Sequence, residues 1–216
     1  MVSLFVGIDI QVRRNCSYAA IDGAGKIVGS GWFSMPELES SGLMTLLSEE
    51  RAFVIGIDAP RMPLPAKRQW YWNGNRRQWH KRTTQMGYGR HCETVVAAHR
   101  IANPQWTPLE NETPEWMNAG FKLYAILKDL ATVHEVFPTA SYTLLQSVKD
   151  VEMTINFSAC SPGPRDMLDA WVAAATVREF EEGRGCEVGG GDGLGTIILP
   201  RPLPEPVIHE VLDWPE

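Results

Sequence analysis

Asp9 and Asp58 each close a short apolar run that ends Gly-Ile-Asp, and Asp166 and Asp169 stand three residues apart in Asp166-Met167-Leu168-Asp169-Ala170-Trp171. Sites in α/β sheets assemble where strands end along one edge, and acids three apart on a helix share a face. Clustered anions repel unless something positive sits among them, and oxygen donors suit hard cations such as Mg²⁺ or Mn²⁺. Two such ions roughly 3.5–4 Å apart can activate a water and stabilise the leaving oxygen of an in-line phosphoryl transfer. The pattern therefore nominates Asp9, Asp58, Asp166 and Asp169 as a metal-binding and catalytic set. Each also has a plainer reading. Asp9 could begin a turn, and Asp166 and Asp169 could be favourable first-turn charges on a solvated helix.

The elements that would position these acids follow from periodicity. Residues 3–10 are apolar and β-branched, which predicts a buried strand, and residues 15–22 and 26–33 flank Gly23-Ala24-Gly25, which predicts a β-hairpin and hence an antiparallel meander. Leu38, Leu43, Leu46 and Leu47 predict a helix over 36–50, and residues 52–58 repeat the first strand until Pro60 stops it. A helix is expected over 116–130, a strand over 133–137 closed by Pro138, and a short helix over 141–148. The pattern from Pro164 to Gly183 has Pro near its start and Gly at its end, as a helix should. Beyond it come a flexible Gly189–Gly195 turn, a strand over 196–199 and an irregular Pro-rich tail, 200–216.

The 216 residues carry a net charge of −6, which by itself argues against a nucleic-acid partner. Its distribution reverses that argument. Arg61, Lys67, Arg68, Arg76, Arg77, Lys81, Arg82, Arg90 and Arg100 face a single acid, Glu93, within 61–100, leaving 11 bases against 25 acids elsewhere. Trp70, Tyr71, Trp72, Trp79 and Tyr88 interleave with these bases, the combination that stacked bases and a phosphate chain require. Residues 61–113 read as a basic and aromatic insertion of short helices and loops, with Arg61, Lys67, Arg68, Arg76, Arg77, Arg82, Arg90, Trp70 and Trp72 as candidate substrate-binding residues. The alternative is a lid whose Trp side chains pack on the core while its bases stay solvated.

Other chemistries fit less well. His80, His91, Cys92 and His99 lack the spacing of paired zinc ligands. His134 and Glu135 point to opposite faces if they share a strand, Gly189–Gly193 lacks the Lys-Ser/Thr of a phosphate loop, and Ser141 and Ser161 have no nucleophile-elbow context. Four scattered cysteines and no leader-like segment before Leu4 predict a reducing, cytoplasmic setting, and no apolar run approaches a membrane span.

The order strand-Asp, hairpin, helix, strand-Asp and a late Asp-x-x-Asp helix is that of the RNase H-like fold. Gly7-Ile8-Asp9, Ile57-Asp58 and the run from Asp166 to Ala174 resemble the first-strand, fourth-strand and last-helix motifs of Holliday-junction resolvases. Asp58 departs from them, because a longer Glu stands there in those resolvases. Ile57-Asp58-Ala59-Pro60, Arg90-His91-Cys92-Glu93, Trp106-Thr107-Pro108 and His134-Glu135-Val136-Phe137-Pro138 resemble a family of predicted nucleases, the domain of unknown function numbered 429. The resemblance implies one α/β domain over 1–216: a mixed five-stranded sheet, an antiparallel meander plus parallel strands, flanked by helices, with the insertion after the fourth strand. It also implies a metal-dependent nuclease acting on DNA or RNA, and it adds Glu135 and the Arg90/Glu93 pair as candidate site residues. For Glu135 the alternative is a carboxylate paired with a buried Arg. The competing function is a non-catalytic nucleic-acid-binding module on the same fold. An actin-like phosphotransferase would need two copies of the domain, for which the chain lacks room.

Overall fold

The computed structural model of the chain describes residues 4–49, 52–82, 87–145 and 164–215. Strands β1 (Leu4–Asp9), β2 (Cys16–Ile21) and β3 (Ile27–Phe33) form the expected antiparallel meander, and β4 (Phe53–Asp58) and β7 (Thr132–Glu135) join it in parallel. The sheet order is β3-β2-β1-β4-β7, a five-stranded mixed sheet with helices on both faces. No described helix is long and apolar enough to cross a membrane.

β1 and β4 are almost continuously apolar because both faces are covered. Alternation assigns the faces. Leu4, Val6, Ile8, Ile55 and Ile57 pack with α1 (Gly42–Leu47) and α3 (Glu115–Leu127), through Leu43, Leu123 and Leu127. Phe5 faces the other way, toward α5 (Pro164–Glu181), whose Ala170, Ala173, Ala174 and Val177 form the second core. Gly7 lies on that same face. A Cβ there would sit 2.0 Å from the Ala170 carbonyl oxygen and 2.3 Å from the Ala174 nitrogen, so α5 crosses β1 with nothing between the backbones. Gly7→Ala is expected to cost roughly 3 kcal/mol or more in urea unfolding; a cost below about 1 kcal/mol would refute this direct crossing.

Three expectations change. The helix predicted over 36–50 is a 3₁₀ turn, Met35–Ser40, followed by α1. Ser41 breaks it by adopting an extended conformation, and its Oγ accepts the Met44 N–H at 3.3 Å to start a new helix. Pro138 opens a helix instead of merely closing a strand: α4 spans Pro138–Leu145, since proline suits a first helical position, while residues 146–148 of the expected helix lie outside the described residues. The segment expected to hold only short helices and loops contains a hairpin, β5 (Trp70–Asn73) with β6 (Gln78–Lys81), and α2 (His91–Ala98). The Asn73-Gly74 dipeptide between aromatic runs is the local signal for that hairpin.

A second hairpin, β8 (Cys186–Gly189) with β9 (Thr196–Leu199), packs with α2, α4 and Val211 of the tail into a third core. The expected flexible turn is the loop of this hairpin, and it is pinned. Asp192 pairs with Arg68 and accepts the His91 N–H at 2.9 Å, and the Gly191 N–H donates to His91 Nδ1 at 3.1 Å. The irregular tail includes a 3₁₀ turn, His209–Val211, and ends with Trp214 packed against Trp79 and His91.

Candidate functional site

Asp9 and Asp58 are direct cross-strand neighbours at the ends of β1 and β4. By alternation from Gly7 and Gly56, both stand on the face that α5 covers. Ser17, the β2 partner of Asp9, donates its hydroxyl to the Asp166 carbonyl at 2.7 Å. That bond anchors the first turn of α5 beside the strand ends and brings Asp166 and Asp169 to Asp9. Asp169 and Asp166 lie near enough to raise Asp9, Asp9 and Asp169 near enough to raise Asp58, and Asp166 near enough to raise Asp169.

Their electrostatics follow from crowding. Asp9 is 5% exposed. Burial first, then the charges of Asp169 and Asp166, push its carboxyl up to about 7 against the opposing pull of Gln11 and Arg14. Asp58 opens onto the cleft yet is densely surrounded; burial, then Asp9, Asp169 and Glu135, hold it well above the usual carboxylate range. Asp169 is raised as well, chiefly by burial. Three of the four have neighbours that partly compensate. Gln11 Nε2 donates to Asp9 at 3.0 Å, Arg14 Nη1 lies 3.1 Å from Asp166 Oδ2, and the Tyr142 hydroxyl donates to Asp169 at 2.7 Å, with Arg165 3.9 Å from that carboxylate. Asp166 Oδ2 is buried and holds Arg14 as an ion pair without a hydrogen bond. Asp58 accepts no hydrogen bond from the described residues.

As a donor set these acids fit a hard divalent cation: all-oxygen, anionic and partly desolvated. Among the described residues, however, no three Asp, Glu, His or Cys side chains converge into a ready group for an ion. Asp9, Asp166 and Asp169 face Gln11, Arg14 and Tyr142 and would have to turn from them.

A cleft of about 590 Å³ lies over Asp9 and Asp58, and Gln11, Arg13 and Arg14 of the β1–β2 turn line it. Arg13 is exposed and has no ion-pair partner among the described residues. These two arginines escaped the sequence reading. The available signal was their place four and five residues beyond a catalytic-type strand end, in the turn that must overhang it.

Glu135 lines the same cleft as Asp9 and Asp58 and is also the carboxylate paired with a buried Arg that the alternative reading expects. It pairs with Ile57, not Asp58, and therefore leaves the opposite face of the sheet. There Arg90, fully buried, binds both of its oxygens, the Nη1–Oε2 contact being 2.7 Å, and the Arg61 N–H adds a third bond at 3.1 Å. Arg90 Nε and Nη2 also donate to Glu93 Oε1, and Glu93 Oε2 accepts the backbone N–H of Arg90 and of Thr107, each at 3.0 Å. Three of the quoted motifs thus converge in one buried network. Arg90, expected to hold substrate, has its guanidinium committed there.

The remaining expected substrate residues divide. Arg68 is enclosed, paired with Asp192 and lying over Trp214 at 5.0 Å. Lys67 lies 3.6 Å from Glu112 and over Tyr88. Arg61 sits over Tyr124 with its Nε buried and unbonded. Arg76 and Arg77 are exposed at the β5–β6 turn, and Arg82 stacks over Tyr71 at 5.0 Å. Trp70 carries Lys81 at 5.9 Å, and Trp72 packs edge-on against Trp79. The hairpin therefore meets the alternative reading halfway: Trp72 and Trp79 pack onto the third core, while the Arg76 and Arg77 tip faces solvent.

His134 donates or accepts at Glu181 on α5, 3.0 Å away, on the face opposite Glu135 as expected. His80, His91 and His99 are engaged separately, with Gln78, Val211 and Val95. Cys16, Cys92 and Cys186 are free thiols, and Cys160 and Ser161 lie outside the described residues. Comparisons with protein-family models, curated proteins and solved structures give no match to this chain.

Proposed function

We propose that this chain is a divalent-metal-dependent phosphodiesterase acting on DNA or RNA, on an RNase H-like fold. The observation that supports the proposal is the electrostatic proximity of Asp166 and Asp169, in the first turns of α5, to Asp9 and its neighbour Asp58 at the strand ends, with Asp9 raised to about 7 by burial and by its acidic neighbours. Such a group costs stability unless it holds a cation or a proton, so it is a site in want of positive charge. Mg²⁺ or Mn²⁺ held by these carboxylates would supply an activated water and neutralise charge on the leaving oxygen. Asp58, with no competing donor among the described residues, is the carboxylate most available to an ion. Arg13 and Arg14 orient the phosphate from the β1–β2 turn. Ser17 keeps the first turn of α5, and with it Asp169, at the required depth.

The test is hydrolysis of labelled single-stranded and duplex substrates with Mn²⁺, by wild type, Asp9→Asn and Asp169→Asn. Each variant is expected to lose about 100-fold or more in rate. Unchanged hydrolysis by both overturns the assignment. The partners that Asp9, Asp166 and Asp169 already have favour a second reading, a nucleic-acid-binding module without catalysis. Metal-independent binding, with no heat on Mn²⁺ titration and no cleavage, selects it.

A further inference from the structure

A second cavity, of about 990 Å³, shares no lining residue with the carboxylate cleft. It lies between the β5–β6 hairpin, the C-terminal half of α2 and the tail. Three exposed aromatic side chains line it, Tyr71, Tyr88 and Trp106, 37–44% accessible; Tyr71 already stacks on His80 and Lys67 lies over Tyr88, so Trp106 has the most open ring. Exposed rings gathered in one hollow, instead of scattered singly, mark a surface that something else covers.

The charge of the cavity says what that is. Arg77, Arg82 and Arg100 line it, and none has a carboxylate partner among the described residues. The Arg82 guanidinium already lies over the Tyr71 ring, and its Nε is buried without a hydrogen bond, so a buried donor there is left for an acceptor. The acid in its wall, Glu205, accepts the Val207 N–H at 3.2 Å. Flat rings beside unpaired guanidinium groups match a ligand made of planar bases on an anionic chain. Bases within a duplex are stacked on one another and offer no free face, so the match is to unpaired nucleotides. The volume is at the upper end for a small-molecule site and admits more than a single nucleotide.

We infer that this cavity binds an unpaired stretch of nucleic acid, stacking bases on Trp106 and on the face of Tyr88 away from Lys67 and pairing its phosphates with Arg77, Arg82 and Arg100. The substrate class rests on the nucleic-acid reading above; the cavity itself does not depend on the carboxylates. It makes the protein a single-strand reader with its anchoring site apart from its acidic centre.

The test is fluorescence anisotropy of a short labelled oligo-dT strand in EDTA, with the annealed duplex and free dTMP as competing arms. The strand is expected to bind without metal, at least about 10-fold more tightly than the duplex or dTMP. Trp106→Ala and Arg82→Gln should each weaken it about 10-fold, and the surface change Arg77→Gln should lower the salt dependence by nearly one phosphate contact. Strand binding in EDTA that all three cavity variants leave intact overturns the inference, as does dTMP binding as tight as the strand. Strand binding lost in the cavity variants while wild type never cleaves keeps the cavity and discards the hydrolytic reading. Cleavage by wild type with unaltered strand binding in those variants does the reverse.

Discussion

Asp9→Asn is expected to raise the melting temperature of the metal-free protein at pH 8 while leaving it nearly unchanged at pH 4. Native Asp9 keeps its proton up to about pH 7, whereas the unfolded chain releases it near the ordinary value of 3.8. The native state therefore binds the extra proton between those limits, and stability from this group, complete below about pH 4, is lost as pH climbs through 7. A shift of this size corresponds to about 2–4 kcal/mol at pH 8 after allowance for relaxation around the carboxylate. Asparagine carries no charge at either pH and retains a partner for Gln11. For a chain of this length the gain should appear as roughly 5–10 °C by calorimetry. Added Mn²⁺ should invert the ranking, since an ion bound only by the native wild type stabilises it by mass action. A variant less stable than wild type at pH 8 without metal would show that the cluster is not under electrostatic strain.

Arg90→Ala should cost about 3–5 kcal/mol in urea unfolding, because it strands Glu93 and Glu135 in the interior without their shared cation. Arg90→Lys should recover little of that loss. A single ammonium cannot reproduce the forked bonds that Arg90 makes to two carboxylates at once. Arg90→Ala combined with Glu135→Gln should be less damaging than the two separate costs added together, since each change removes part of what the other leaves unpaired. Near-normal stability of Arg90→Ala with weakened nucleic-acid binding would return Arg90 to the substrate surface.

The elements that carry the four carboxylates were legible because their grammar is local. Alternation along Leu4–Asp9 and Phe53–Asp58 sets which side chains share a face, and the hairpin turn at Gly23–Gly25 sets the meander. A helix with Pro at its start and Asp166 and Asp169 in its opening turns already says that both acids can look the same way. Glycine at 7 and 56 was read as part of each motif, without its consequence that α5 could lie directly on the sheet. Where the local signal was ambiguous the expectations failed, as at Ser41, which caps a new helix within an unbroken leucine pattern, and at Pro138, which suits a strand's end and a helix's beginning equally.

The sequence by itself determined the strand-ending acids, the shared helix face of Asp166 and Asp169 and the basic, aromatic character of residues 61–100. Only the tertiary structure decided which of those charges remain available. Arg90 meets Glu135 across 45 residues and Arg68 meets Asp192 across 124, while Arg77 and Arg82 meet no carboxylate among the described residues. Nothing in the local pattern distinguishes these arginines. A guanidinium is neutralised or left free by whichever distant acid the fold carries to it, and the register of Glu135 against Ile57 lets it bind Arg90 while it still lines the cleft of Asp9 and Asp58.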